Sequence, residues 1–145
     1  DFCLSRGLGD VYKRQFMYAA DLMKFIDIPC EISFVKVASY TGTESSGNIT
    51  EVIGLNEDIT GREVVIVEDI VDTGKTMERM LKVLWEKSPA NIHISTLLLK
   101  PGKLQVALNI KYAAMEIPND FIVGYGLDYD QQGRNLRDIY TLVQE

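Results

Sequence analysis

The segment Val64-Val-Ile-Val67 is an uninterrupted β-branched run that leads through Glu68 and Asp69 into Asp72-Thr-Gly-Lys-Thr76 and a helix-periodic stretch. A strand with one wet face alternates apolar and polar residues. A continuous Val/Ile run between polar turns is instead the pattern of a strand covered on both faces, as in a parallel sheet. Met77, Met80, Leu81 and Leu84 then recur at helical spacing, which predicts a helix over about residues 75–86. A second buried strand is expected over 92–99, so the three elements form one strand-helix-strand unit with a right-handed connection.

The remaining pattern fills out an α/β sheet. Ala19, Leu22, Met23 and Ile26 mark one face of a helix over 16–26, ended by Pro29. Strands are expected at 31–38, 49–53, 63–68, 112–117, 121–124 and 139–143, and the polar stretch Ser39–Asn48 reads as a mobile loop. Residues 1–15 show no periodicity and join the helix without a cap, so they read as a non-native head on a domain of residues 16–145. Within that head, residues 7–15 resemble a translated sequencing-adapter peptide.

Composition limits the partners. The chain has 145 residues, 15 Lys and Arg against 21 Asp and Glu, and a formal net charge of −6. That length suits one domain. The acidity argues against a broad basic face for nucleic acid or an anionic membrane, so an anionic ligand has to be held locally. Cys3 and Cys30 have neither disulfide-framework nor zinc-site spacing, and a reducing cytoplasm is the expected setting. His93, the sole histidine, lies between Ile92 and Ile94 in a strand pattern, which favours a structural role over a Ser-His or Cys-His nucleophile system.

The main motif carries the chemistry. A strand feeding a glycine-bearing turn at a helix N-terminus aims backbone N–H groups at one point, where a phosphate can sit. Thr73 and Thr76 add hydroxyls, and Gly74 permits close approach. A Walker loop would need a glycine where Asp69 stands, so Gly74-Lys75-Thr76 is not one. Glu68 and Asp69 at the expected strand end would repel a bare phosphate. Alone they would be solvated charges. Beside a phosphate cradle they make sense if the ligand also offers hydroxyls or a metal ion, as a phosphorylated ribose does.

Glu68-Asp-Ile-Val-Asp-Thr-Gly-Lys-Thr76 resembles the phosphoribosyl-pyrophosphate motif of the type I phosphoribosyltransferases, and the likeness runs from Phe16 to the C-terminus. It implies a Rossmann-like parallel-sheet fold and a phosphoribosyl site of Glu68, Asp69, Asp72, Thr73, Gly74, Lys75 and Thr76. Three further matches resemble the hypoxanthine-guanine branch. Ser39-Tyr40 matches the opening of the loop that covers the site. Lys100, ending Leu97-Leu-Leu-Lys100, matches the lysine that holds the purine 6-oxo group. Phe121-Ile-Val-Gly-Tyr-Gly-Leu-Asp128 with Arg134 matches the segment of the stacking ring, implying Phe121 with Ile122 on the purine, Asp128 on magnesium and Arg134 on pyrophosphate.

These roles agree with elementary chemistry. Loss of pyrophosphate from ribose C1 leaves an oxocarbenium-like centre and a highly charged leaving group, which calls for Mg2+ and a cation. Asp72 can accept the proton from the purine N7 or N9 region. Lys100 donates to a keto oxygen and disfavours an amino group, so a 6-oxopurine is expected as acceptor, giving IMP or GMP. The resemblance also implies a homodimer or homotetramer in the cytoplasm.

In the family a strand and a short glycine-bearing loop precede the first helix, whereas Lys13-Arg14-Gln15 stand here. The expectation is therefore a truncated domain lacking its first strand and one pyrophosphate contact, and so weakened. The rival readings are a phosphoribosyltransferase for xanthine or a pyrimidine, and a non-catalytic phosphoribosyl-pyrophosphate-binding regulator. The second would be expected to carry a basic DNA-binding module.

Overall fold

The computed structural model describes residues 2–6, 12–41 and 48–142. In chain order these give β1 (Phe2–Arg6), α1 (Tyr12–Met23), β2 (Glu31–Thr41), β3 (Asn48–Ile53), β4 (Glu63–Val71), α2 (Lys75–Trp85), β5 (Asn91–Leu99), β6 (Tyr112–Glu116), β7 (Ile122–Val123) and β8 (Tyr140–Thr141). Six strands form one sheet in the order β3-β2-β1-β4-β5-β6, while β7 and β8 pair only with each other. All neighbours in the large sheet run parallel except β2 and β3.

β4 bears out the sequence pattern. Val64, Ile66, Val67, Glu68, Asp69 and Val71 are all buried along it. Because successive side chains point to opposite faces, the run supplies two cores. Val64 and Ile66 pack with Met77, Met80 and Leu84 of α2, whereas Val65 and Val67 pack with Tyr18, Ala19 and Leu22 of α1. The two helices therefore cover opposite faces of the sheet. Ile66 is fully buried, so Ile66→Val should cost about 1 kcal/mol; an unchanged urea midpoint would contradict this packing.

Four expectations are corrected. The sheet does not lack its first strand: Phe2–Arg6 pairs with β2 on one side and β4 on the other. A central strand satisfies its backbone groups on both edges, and that pairing does not require a local alternation pattern. Helix α1 spans Tyr12–Met23 and not residues 16–26, so Lys13, Arg14 and Gln15 are helical. Ser39 and Tyr40 do not open a loop; they extend β2 opposite Thr50 and Ile49, and residues 42–47 of the expected mobile segment lie outside the described residues. Finally, the segments near 122 and 140 form a separate antiparallel ribbon and do not complete the main sheet.

Strand order reverses between β1 and β4, because β2 and β3 lie on one side of β1 and β4, β5 and β6 on the other. Open α/β sheets bind ligands beyond the carboxyl ends of strands at such a switch point. The motif turn Asp72–Gly74 leaves β4 at that place.

Candidate active site

The turn after β4 is fixed from several sides. Lys100 N–H donates to Val71 O at 3.0 Å, tying the ends of β5 and β4, and Gln105 N–H donates to Thr73 O at 3.0 Å. Gly74 caps α2 with a φ of 79° and makes no side-chain cap. A Cβ there would come within 2.8 Å of both Val106 and Leu108 side chains. Glycine is thus required by the positive φ and by the apolar segment pressed on it. The uncapped first turn of α2 leaves N–H groups directed at the space above the sheet, the condition for holding an anion.

That space is a cavity of about 450 Å3. Glu68, Asp72, Thr73, Gly74 and Thr76 line it from the motif. Lys100, Phe121, Ile122 and Asp128 line it from the two later segments. Arg14 of α1 also lines it, so residues from Arg14 to Asp128 converge at the carboxyl end of β4. The other expected site residues are placed differently. Lys75 is exposed and outside the cavity lining. Asp69 is buried beneath it, and Arg134 is turned onto Asp128.

Glu68 and Asp69 do not end their strand, because β4 continues through Val71 with Ile70 and Val71 still paired to Leu98 and Leu99. Both carboxylates are nearly fully buried, which requires partners. The Gln15 side-chain amide donates to Glu68 Oε2, and Arg14 Nε lies 3.6 Å from Asp69 Oδ2. These α1 contacts were invisible in a segment judged by its local pattern. The only available hint was a cation and an amide one helical step before the apolar face.

The side of the cavity formed by Lys100 and Lys103 is built on one short turn. Lys100 is buried, and its Nζ donates to Asp120 O at 2.8 Å. A 3-10 turn over Pro101–Lys103 follows, closed by Lys103 N–H donating to Lys100 O at 3.0 Å. It brings Lys103 Nζ to 3.4 Å from Asp72 Oδ2, a contact missed in the sequence. Phe121 presents a half-exposed ring that meets Tyr129 edge to face, with centroids 5.6 Å apart. An aromatic face open on one side and braced at its edge suits a stacking platform.

Asp128 is held by two neighbours. Arg134 Nη2 lies 2.8 Å from its Oδ1, and Gln131 N–H donates to its Oδ2 at 2.9 Å. Arg134 also donates through Nη1 to Gly126 O at 3.1 Å. Asp130 and Gln131 have φ values of 48° and 65°, which turn the chain back so that Arg134 can reach Asp128. Each carboxylate oxygen keeps a lone pair after accepting one bond. One carboxylate with spare lone pairs in the cavity lining fits Mg2+, which keeps waters and takes few protein oxygens. Among the described residues no cluster of three or more His, Cys, Asp or Glu could hold a metal by itself.

The segment around Asp128 is anchored to α1. Gly126 approaches the Arg14 carbonyl so closely that a Cβ would lie 2.2 Å from it. Tyr125, at a φ of 50°, donates through its hydroxyl to Asp21 Oδ2 at 2.5 Å. The Lys24 and Tyr125 hydrogen bonds hold the Asp21 carboxyl below the usual range, whereas burial and then the Asp21 bond push the Tyr125 phenol up to about 12. A phenol raised on folding contributes stability that is present below pH 10 and lost as pH rises toward 12. Tyr125→Phe should therefore flatten the fall in Tm over that window; an unchanged alkaline slope would contradict the anchor.

Comparison with known proteins agrees with this geometry. The phosphoribosyl transferase domain family matches residues 12–130. The chain is 42% identical to a hypoxanthine phosphoribosyltransferase of Haemophilus influenzae, covering 90% of this chain and 73% of that protein. It is 40% identical to a hypoxanthine-guanine phosphoribosyltransferase of Mycobacterium tuberculosis, covering 91% of this chain and 66% of the relative. A crystal structure of a hypoxanthine phosphoribosyltransferase from Staphylococcus aureus superposes with a TM-score of 0.83 at 37% identity, over 98% of this chain and 75% of that one. The chain belongs to the phosphoribosyl transferase family, in its hypoxanthine phosphoribosyltransferase branch.

Proposed function

We propose that this chain transfers the 5-phosphoribosyl group from phosphoribosyl pyrophosphate to hypoxanthine or guanine, giving IMP or GMP and pyrophosphate. One observation carries the reading. A single cavity brings the Thr73–Thr76 cradle, the acid Asp72, the buried Lys100 and the Phe121 ring together. A phosphoribosyl group bound beside a planar base asks for a phosphate cradle, hydroxyl-binding acids and a ring platform together.

In this reading the α2 N-terminus, Thr73 and Thr76 hold the 5′-phosphate, while Glu68 and Asp69 take the ribose hydroxyls once Gln15 and Arg14 yield them. Lys75 reinforces the cradle from outside. Phe121 stacks on the base with Ile122 beside it, Lys100 donates to its 6-oxo oxygen and Asp72 accepts its proton as the glycosidic bond forms. Asp128 would hold Mg2+, which supplies charge neutralisation for departing pyrophosphate. Arg134, paired with that carboxylate, would meet the departing pyrophosphate, and Ser39 and Tyr40 belong to the segment that shields the site. Residues 12–15 fall within the family match, and Phe2–Arg6 fills the centre of the sheet, so a non-native head would be confined to residues 1–11 at most. A homodimer or homotetramer in the cytoplasm completes the reading, and no described helix is long and apolar enough to cross a membrane.

A panel of bases tests the assignment. With phosphoribosyl pyrophosphate and Mg2+, the chain should convert hypoxanthine and guanine, and leave adenine and uracil largely unused. Preference for adenine or uracil would contradict the role of Lys100.

A further inference from the structure

We infer that Lys103 is a positioning residue that holds the Asp72 carboxylate with one oxygen aimed at the N7 proton of the purine. The inference rests on the purine reading of the cavity and adds a residue that reading does not use. Asp72 is divided between two environments. Its Oδ2 lies 3.4 Å from Lys103 Nζ, whereas Oδ1 is buried and has no hydrogen-bond partner among the described residues. A carboxylate oxygen keeps a lone pair after accepting one bond, so Oδ2 can meet Lys103 and a ligand N–H together. The lysine thus fixes the direction of the accessible oxygen and leaves its second lone pair for the base.

The chemistry of the ring explains why both lysines lie on one turn. A 6-oxopurine protonated at N7 presents an acceptor, O6, next to a donor, N7–H. Lys100 is a donor by necessity and Asp72 an acceptor. Lys103 follows Lys100 through the Pro101–Lys103 turn, closed by the 3.0 Å bond between Lys103 N–H and Lys100 O. One rigid turn therefore delivers the O6 donor and sets the orientation of the N7 acceptor. Lys103 itself need not touch the ligand. Rotation of Asp72 about χ2 would lose the N7 bond without disturbing the phosphate cradle.

Nucleotide binding tests this without relying on turnover. 9-Deazainosine 5′-monophosphate carries a proton on N7, whereas inosine 5′-monophosphate does not, and the two are otherwise nearly alike. By calorimetry, Lys103→Met and Lys103→Gln should each weaken the 9-deaza nucleotide by about fivefold, the scale of a part-exposed ion pair. Affinity for inosine 5′-monophosphate should stay the same, and Lys103→Arg should restore the difference. Equal weakening of both nucleotides would make Lys103 a ligand of their shared phosphate or ribose and overturn the inference. So would no change in either. A chain that binds neither nucleotide before any substitution would instead remove the purine reading itself.

Discussion

Asp72→Asn should bind phosphoribosyl pyrophosphate and hypoxanthine with nearly unaltered affinity yet turn over about 10²-fold more slowly, the usual scale for loss of a general base. The amide keeps the shape of the carboxylate and can still offer an oxygen toward N7. It cannot take the proton that must leave the base as its nitrogen bonds to ribose. The position makes this a sharp test, since Asp72 opens the turn after β4 and lines the cavity. Steady-state kinetics with separate KM values would show the split, and unchanged turnover would remove Asp72 from the chemistry.

Lys100→Ala should raise KM for hypoxanthine by about 10- to 100-fold, the range for losing a hydrogen bond from a charged donor. KM for phosphoribosyl pyrophosphate should change little, because the cradle lies on the other side of the cavity. Lys100 is buried and its ammonium also donates to Asp120 O, so thermal unfolding of the variant separates a local loss from a general one. An equal rise in both KM values would contradict its place opposite the 6-oxo group.

What could be read in advance depended on whether contacts were local. The β4–turn–α2 unit was legible because its signals are sequential: an unbroken Val/Ile run, a glycine turn, then Met77, Met80 and Leu84 at helical spacing. Strand length was less so. Glu68 and Asp69 look like a terminus, but ladder pairing with β5 carries the strand on to Val71. Phe2–Arg6 was unreadable because what makes it a strand is its two neighbours, not its own pattern.

The site divides the same way. Asp72, Lys100, Phe121 and Asp128 were legible through their resemblance to a family pattern and do meet in one cavity. Lys103 was not, because its approach to Asp72 depends on a 3-10 turn that no periodicity announces. Arg14 and Gln15 were set aside as part of a foreign head, yet helix α1 turns them toward the buried acids. A short helix-propensity pattern carries no sign of which distant carboxylate it will face. Arg134 was expected at the leaving group, and its pairing with Asp128 through the reversed turn at Asp130 and Gln131 was not legible in the sequence.

The central claim is that this cavity joins a phosphoribosyl group to a 6-oxopurine. Incubating the chain with hypoxanthine, phosphoribosyl pyrophosphate and Mg2+, and quantifying both products, tests it most directly. IMP and pyrophosphate should appear in equal amounts and depend on all three additions. Pyrophosphate released without nucleotide, or no consumption of either substrate, would contradict the account.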